Sequence, residues 1–210
     1  MHYHRHSEEE RRKWQTPETI LSDIGLKPDM TFADIGCGRG FFTIPAAKIV
    51  GENGRVLAMD VDEESIGLLN ERVKKEDLRN IHTITGKAED KPTCNCCADI
   101  VFFGQCLHDF EDPAKVINNA RKTIKPSGLL ANLDWKKEKM ENGPPFEIRF
   151  SEEHASSLIK EAGFEVSQIK GSGPYHYIIL AKPTHNDADS CDLGRACERV
   201  CPTKAFNFIG

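Results

Sequence analysis

Residues 31–43, TFADIGCGRGFFT, constrain the fold of this chain more than any other stretch. Positions 31–35 read as a short buried strand, Gly36, Gly38 and Gly40 follow at alternate positions, and Phe41-Phe42 lead into a helix. Glycines at a strand-to-helix turn let the backbone bend tightly and let a ligand approach the peptide groups. The helix start behind them offers unpaired N–H groups and a positive dipole end. Such a turn belongs to a layered fold, so strands and helices should alternate through the rest of the chain.

They do. Thr16-Pro17 opens a helix that Gly25 stops. After the glycine turn, a helix carries Ile44, Ala47 and Ile49. Residues 55–59 form a second strand closed by Asp60, and Asp62 or Glu63 starts the next helix. Residues 81–85 alternate Ile and Thr as a third strand. Residues 98–103 (ADIVFF), apart from Asp99 near their start, read as the continuous apolar run of a strand covered on both faces. Asp112-Pro113 caps a helix that Pro126-Ser127-Gly128 should stop, with a fifth strand over 128–133. Beyond a polar loop, 134–149, Ser151 caps a helix ending at Gly163. Strands over 164–169 and 175–181 are joined by too short a link for a crossover, so they run antiparallel. The prediction is a three-layer, Rossmann-like α/β fold: a seven-stranded, mostly parallel sheet with its last strand antiparallel. The expected organisation is a polar N-terminal segment (1–15), one domain (16–183) and a short cysteine-rich tail (184–210).

Charge and hydropathy exclude several partners. The net charge is -5, with acids and bases interspersed. That leaves no basic footprint for nucleic acid and no polybasic membrane patch. No apolar run is long enough to span a bilayer. The start, MHYHRHSEEERRKW, is polar throughout and is no secretory signal, so a cytoplasmic location is expected. Its alternating His2, His4 and His6 read as a solvated beginning.

Two ligands compete for the glycine turn. A dinucleotide fingerprint wants glycine at the sixth position from Gly36, and Phe41 stands there. Asp34 would also repel a pyrophosphate and would suit a cationic group. Asp60 sits where a carboxylate accepts the hydrogen bonds of a ribose diol. A nucleoside with a cationic tail and no phosphate meets these demands, and S-adenosylmethionine is such a molecule. On FADIGCGRG, VLAMD, GKAED, ADIVFFGQCLHDFEDP and LDWKKEKMENGPP, residues 31–181 resemble a class I S-adenosylmethionine-dependent methyltransferase. The similarity is to the ubiquinone/menaquinone-biosynthesis type, the type 11 branch.

The resemblance implies that Asp34, Gly36, Gly38 and Gly40 cradle the methionine moiety and Asp60 the ribose. It implies further that Ala88 and Glu89 lie along the adenine, and that Phe103 and Gln105 border the transfer pocket. Lys87 stands where the family often has an acid beside the adenine amino group. His108, beside Asp109, is the candidate general base if the small-molecule acceptor must lose a proton. Cys37 and Cys106 fall near the same edge, where packing explains them. Trp135 and Pro144-Pro145 should cover the acceptor.

The tail carries a second signal. Cys191, Cys197 and Cys201-Pro202 track the ferredoxin run C-x2-C-x2-C-x3-C-P, with Gly194 in place of one cysteine. Cys94, Cys96 and Cys97 precede the fourth strand, at the edge where the last strand should end. Six cysteines could therefore converge there on an iron–sulfur cluster or zinc. Without a secretory signal, a disulfide is the weaker expectation. The leading function is methyl transfer. The alternative is a non-catalytic nucleoside-binding or redox-sensing protein on the same fold.

Overall fold

A computed structural model of the protein describes residues 7–184. Seven strands form one sheet: β1 (Thr31–Ile35), β2 (Arg55–Asp60), β3 (Ile81–Thr85), β4 (Ala98–Gly104), β5 (Ile124–Trp135), β6 (Phe164–Ser172) and β7 (His176–Pro183). Six α-helices accompany them among the described residues, α1 (Glu8–Arg12), α2 (Pro17–Asp23), α3 (Thr43–Val50), α4 (Glu63–Lys75), α5 (Pro113–Thr123) and α6 (Glu152–Glu161), with a 3-10 turn at Leu107–Asp109. The strand order is β3-β2-β1-β4-β5-β7-β6. Strands β1 to β5 pair in parallel, and β7 is antiparallel to both its neighbours, as expected.

The sheet is buried on both faces. Val116, Ile117 and Ala120 of α5 and Ala155 and Ile159 of α6 pack on Ala33, Val101, Phe103 and Leu130. Opposite, Leu21 of α2 and Ala46, Ala47 and Val50 of α3 pack on Phe32, Val56, Phe102 and Ala131. Successive side chains of a strand point to opposite faces, so Phe102 and Phe103 serve different layers. Helix α4 sets Ile66 and Leu69 against Ala58 on the second face.

Two expectations change here. Helix α5 stops at Thr123, and the backbone passes directly into β5 at Ile124. Pro126-Ser127-Gly128 forms a register irregularity inside the strand: Ala98 faces Ile124, and Ile100 already faces Leu129. A bulge accommodates a proline that a regular ladder would reject. The N-terminal segment also differs from a solvated start once Ser7 is reached. Ser7 and Glu10 form a reciprocal capping box, and α1 is held at the edge of the sheet by Arg11, which bonds Gln105 and lies over the Phe41 ring. His2, His4 and His6 lie outside the described residues.

The strand order reverses between β1 and β4, because β2 and β3 lie on one side and β5 to β7 on the other. In open sheets of this kind the crevice beyond the carboxyl ends of the strands at that point is the ligand site.

Candidate active site

The glycine turn rises from β1 into this crevice. Gly36 and Cys37 donate their N–H groups to the Met59 carbonyl at 2.8 and 3.0 Å, which ties the turn to the end of β2. Gly36 has φ +74°, and a Cβ there would meet the Cys106 sulfur at 2.7 Å. Only glycine satisfies both demands. Gly38 N–H donates to Asp60 Oδ2 at 2.7 Å, and Asp62 N–H donates to Oδ1 at 2.9 Å. Each Asp60 oxygen keeps a second lone pair, so the carboxylate is aimed and can still accept from a ligand.

Asp34 is 1% exposed, yet it borders the cavity. Its Oδ2 accepts from the Thr43 hydroxyl at 2.6 Å. Burial pushes its pKa up to about 7; the Thr43 hydrogen bond and Arg11 work against that, and Asp60 adds to it. A buried carboxyl poised near neutrality gains from a cationic group set beside it.

The cavity over these residues has a volume near 1240 Å³, above the roughly 300–1,000 Å³ of a typical small-molecule site and roomy enough for a cofactor and an acceptor together. Phe41, Phe42, Phe110 and Trp135 give it aromatic walls. On its far side His108 Nδ1 lies 2.7 Å from Asp134 Oδ1, with side chains only 2% and 1% exposed. Burial opposes the charged ring, but the hydrogen bond and charge of Asp134, with Asp109, outweigh it, and the pKa of His108 is raised. Asp134 accepts from Nδ1–H, which leaves Nε2 as the basic nitrogen. Asp109 Oδ1 is 3.5 Å from Nε2.

The loop after β5 closes this side. Arg149, 3% exposed, donates to the carbonyls of Pro144 (2.7 Å), Asn142 (3.0 Å), Glu138 (3.0 Å) and Lys136 (3.4 Å). One guanidinium thus folds the loop, and Gly143, at φ +95°, presses onto the Trp135 ring, which a Cβ would strike at 2.6 Å.

Helix α1 closes the other side. Glu8 pairs with Arg72 of α4 at 3.1 Å, and Arg11 reaches inward to donate to Gln105 Oε1 at 2.6 Å. Gln105 turns its amide nitrogen to His176 Nε2. Burial first, then Arg11, Lys136 and Arg149, push the His176 pKa down to about 3, so that ring is neutral.

Of the residues the sequence assigns to the site, Asp34, Gly36, Gly38, Asp60, Gln105 and His108 line the cavity. Gly40 stands behind it, closing the turn through its N–H to the Cys37 carbonyl at 3.0 Å. Phe103 does not border the pocket: it is fully buried in the core beneath α5, because β4 alternates and Gly104 takes the cavity position. Ala88 and Glu89 lie off the cavity, their carbonyls accepting from Asn119 Nδ2 at 2.9 and 3.0 Å. Lys87 pairs with Glu111 at 3.0 Å on the surface. Cys37 and Cys106 line the cavity, but burial raises both thiol pKa values well above the ordinary range, and Cys106 is bonded to the Ile35 carbonyl. Trp135 and Pro144 line the cavity, and Pro145 does not.

Sequence reasoning missed Asp134, Arg149 and Arg11. A carboxylate ending the apolar run LLANLDW was the available sign for Asp134.

The cysteine edge requires a correction. Cys94 and Cys97 are joined in a disulfide, which withdraws both from any ligand set while the bond is intact. Among the described residues no group of three His, Cys, Asp or Glu side chains could hold a metal ion. Cys191, Cys197 and Cys201 lie outside the described residues. The placement itself holds: Cys96 and Cys97 donate to the Lys122 and Thr123 carbonyls at the foot of β5, opposite the cavity. β7 ends at that same foot, where Arg121 bonds the Thr184 carbonyl at 3.1 Å.

A family model described as a methyltransferase domain matches residues 26–170. The chain belongs to the class I S-adenosylmethionine-dependent methyltransferases. An S-adenosylmethionine-dependent methyltransferase of known structure from Aquifex aeolicus is 30% identical, with a TM-score of 0.77, over 86% of this chain and all of that one. The ubiquinone/menaquinone biosynthesis C-methyltransferase UbiE of Vibrio parahaemolyticus is 25% identical over 89% of this chain and 70% of its own length. The demethylmenaquinone methyltransferase of Listeria welshimeri is 32% identical over 58% of this chain. The chain spans about half the length of that relative, 51%, and 44% of further Vibrio C-methyltransferases. The methyltransferase site fits its cofactor: a buried acid for a cation, a glycine cradle that a Cβ would fill, and a carboxylate already aimed by two backbone N–H groups. Among the described residues no helix is long and apolar enough to cross a membrane.

Proposed function

We propose that the protein methylates a small aromatic acceptor bearing an ionisable hydroxyl, the chemistry of a quinone precursor, with His108 as general base and Asp134 as its orienting partner. The observation that carries this reading is the buried His108–Asp134 hydrogen bond of 2.7 Å at the rim of an aromatic-walled cavity. The quinone-biosynthesis names of the Vibrio and Listeria relatives support the acceptor class.

S-adenosylmethionine, when bound, supplies a methyl group already activated on a sulfonium. The chain therefore contributes positioning, dryness and proton removal, and positioning alone reaches about 7–11 kcal/mol in favourable cases. Asp34 and the glycine turn hold the methionine end, and Asp60 the ribose. Phe110 and Trp135 flank a flat ring, and the Arg149-braced loop keeps water from it. His108 Nε2 takes the hydroxyl proton, and the electron pair left on the acceptor becomes the nucleophile. Asp134 and Asp109 then hold the imidazolium.

The test is methyl transfer to a panel of hydroquinones and catechols, with S-adenosylhomocysteine binding measured alongside. Turnover is expected, and His108→Asn should lower kcat by about 10²–10⁴ while retaining cofactor affinity. Intact binding with no turnover on any hydroxylated ring overturns the acceptor class. An unchanged kcat in His108→Asn overturns the base.

A further inference from the structure

S-adenosylmethionine ends in an α-amino acid, with an ammonium and a carboxylate on one carbon. Asp34 answers the ammonium, which leaves a buried anion to be matched. We propose that Arg11 of α1 binds that α-carboxylate, so that the N-terminal helix is part of the cofactor site. The inference rests on the cofactor reading above.

Other cations border the cavity, but each is committed or remote. Arg72 pairs with Glu8 at 3.1 Å and donates to the Arg39 carbonyl at 2.9 Å, while Arg39 reaches Glu64 at 3.5 Å. Lys75 is exposed, on the last turn of α4. Arg11 differs. Its guanidinium lies 3.8 Å from the centre of the Phe41 ring and makes one hydrogen bond, to the neutral Gln105. Among the described residues it has no ion-pair partner within salt-bridge distance. Burial lowers its pKa to about 10, with Glu8 and Asp34 acting the other way, so it stays cationic at neutral pH.

Position agrees with charge. Gln105 follows β4, whose Phe103 pairs in register with Ile35 of β1, so Arg11 stands at the Asp34 end of the crevice. Asp60 belongs to β2, on the far side of β1. Ribose at Asp60 and methionine at Asp34 therefore lead the carboxylate toward Arg11. A guanidinium presents five N–H donors in a planar fork that matches a carboxylate by two parallel bonds. With one donor on Gln105, the fork retains enough for that pair. An acid and a base side by side at the end of a cavity complement a zwitterion.

The experiment compares two probes that differ in the amino-acid end: S-adenosylhomocysteine and 5′-methylthioadenosine. Calorimetric titration of both into wild type, Arg11→Gln and Arg11→Lys reads the assignment. Wild type should prefer S-adenosylhomocysteine. Arg11→Gln should lose about 10- to 100-fold for that ligand, as for a charged hydrogen-bonded pair, and change little for methylthioadenosine. Arg11→Lys should recover part of the loss. Equal losses for both ligands would mean that Arg11 only holds α1 in place, and no loss for either would remove it from the site; both overturn the proposal. Wild type that binds neither nucleoside overturns the cofactor reading itself, a result distinct from these.

Discussion

The two edges of the sheet are built on opposite rules. At the cavity edge, buried or half-buried charged groups have fewer partners than they can take: Asp34 on a single hydroxyl, the half-buried Arg11 on a single amide, and Asp134 with its Oδ2 unbonded. At the far edge, charges and backbone close on one another. Asp99 accepts from Thr31 N–H and pairs with Lys125 at 2.7 Å, the 94–97 loop is tied to Lys122 and Thr123, and a disulfide joins its ends. Unspent hydrogen-bonding capacity in a dry place costs stability and persists where a ligand can use it. The far edge has the character of a foundation, and the cavity edge that of a binding surface.

The contrast can be broken most sharply at His108. His108→Asn should cost about 10²–10⁴ in kcat, and Asp134→Asn should follow the same direction by releasing the ring. Because the His108 pKa is raised and the base must be neutral, the rising limb of wild-type kcat against pH should lie above the ordinary histidine value. Next comes Asp60→Ala, which removes the anchor of Gly38 and Asp62 and, on the proposed reading, the acceptor for the ribose. Nucleoside affinity should fall roughly 100-fold by calorimetry, the scale of one or two charged hydrogen bonds.

Asp34 gives a smaller, pH-dependent signal. Its folded pKa of about 7 lies above the ordinary 3.8, so the empty protein holds a proton that the unfolded chain releases. Its contribution to stability therefore declines as pH rises from near 4 through 7. A cationic ligand reverses the preference. Affinity should climb by up to about tenfold per unit toward pH 7 and level off above it, with proton release on binding detectable in buffers of different ionisation enthalpy. The smallest effect on ligands belongs to the far edge. Reducing the Cys94–Cys97 bond, or Cys97→Ser, should leave nucleoside affinity unchanged. Closing so short a loop is worth at most about 2 kcal/mol, so thermal unfolding should fall only slightly. A large loss of binding on reduction would join the two edges into one device.

Much of this was legible in the sequence, and the rest was not for identifiable reasons. The glycine turn, Asp34 and Asp60 belong to local motifs, where spacing alone encodes geometry. The His108–Asp134 pair spans 26 positions and the Arg11–Gln105 bond 94, and each forms only when distant strands or helices meet. Helix α1 was hidden for a different reason: it buries no residue and holds on through Glu8, Arg11 and a ring contact, so no apolar stripe announces it. Phe103 faces the core beneath α5 and not the cavity, which the sequence could not tell: past Asp99 the stretch IVFF is apolar toward both faces, and a doubly covered strand shows no alternation. The α5–β5 boundary was misread because Pro126 and Gly128 signal a turn equally well as a bulge.

Arg149 has a consequence that reaches past this one chain. It shapes the acceptor loop entirely through main-chain carbonyls, at Lys136, Glu138, Asn142 and Pro144. Every amino acid carries that carbonyl. Apart from Gly143, which its positive φ and the Trp135 ring hold to glycine, and Arg149 itself, the side chains of the loop are thus free to vary without loss of its form, and a lineage can change what the pocket accepts while inheriting the same cup.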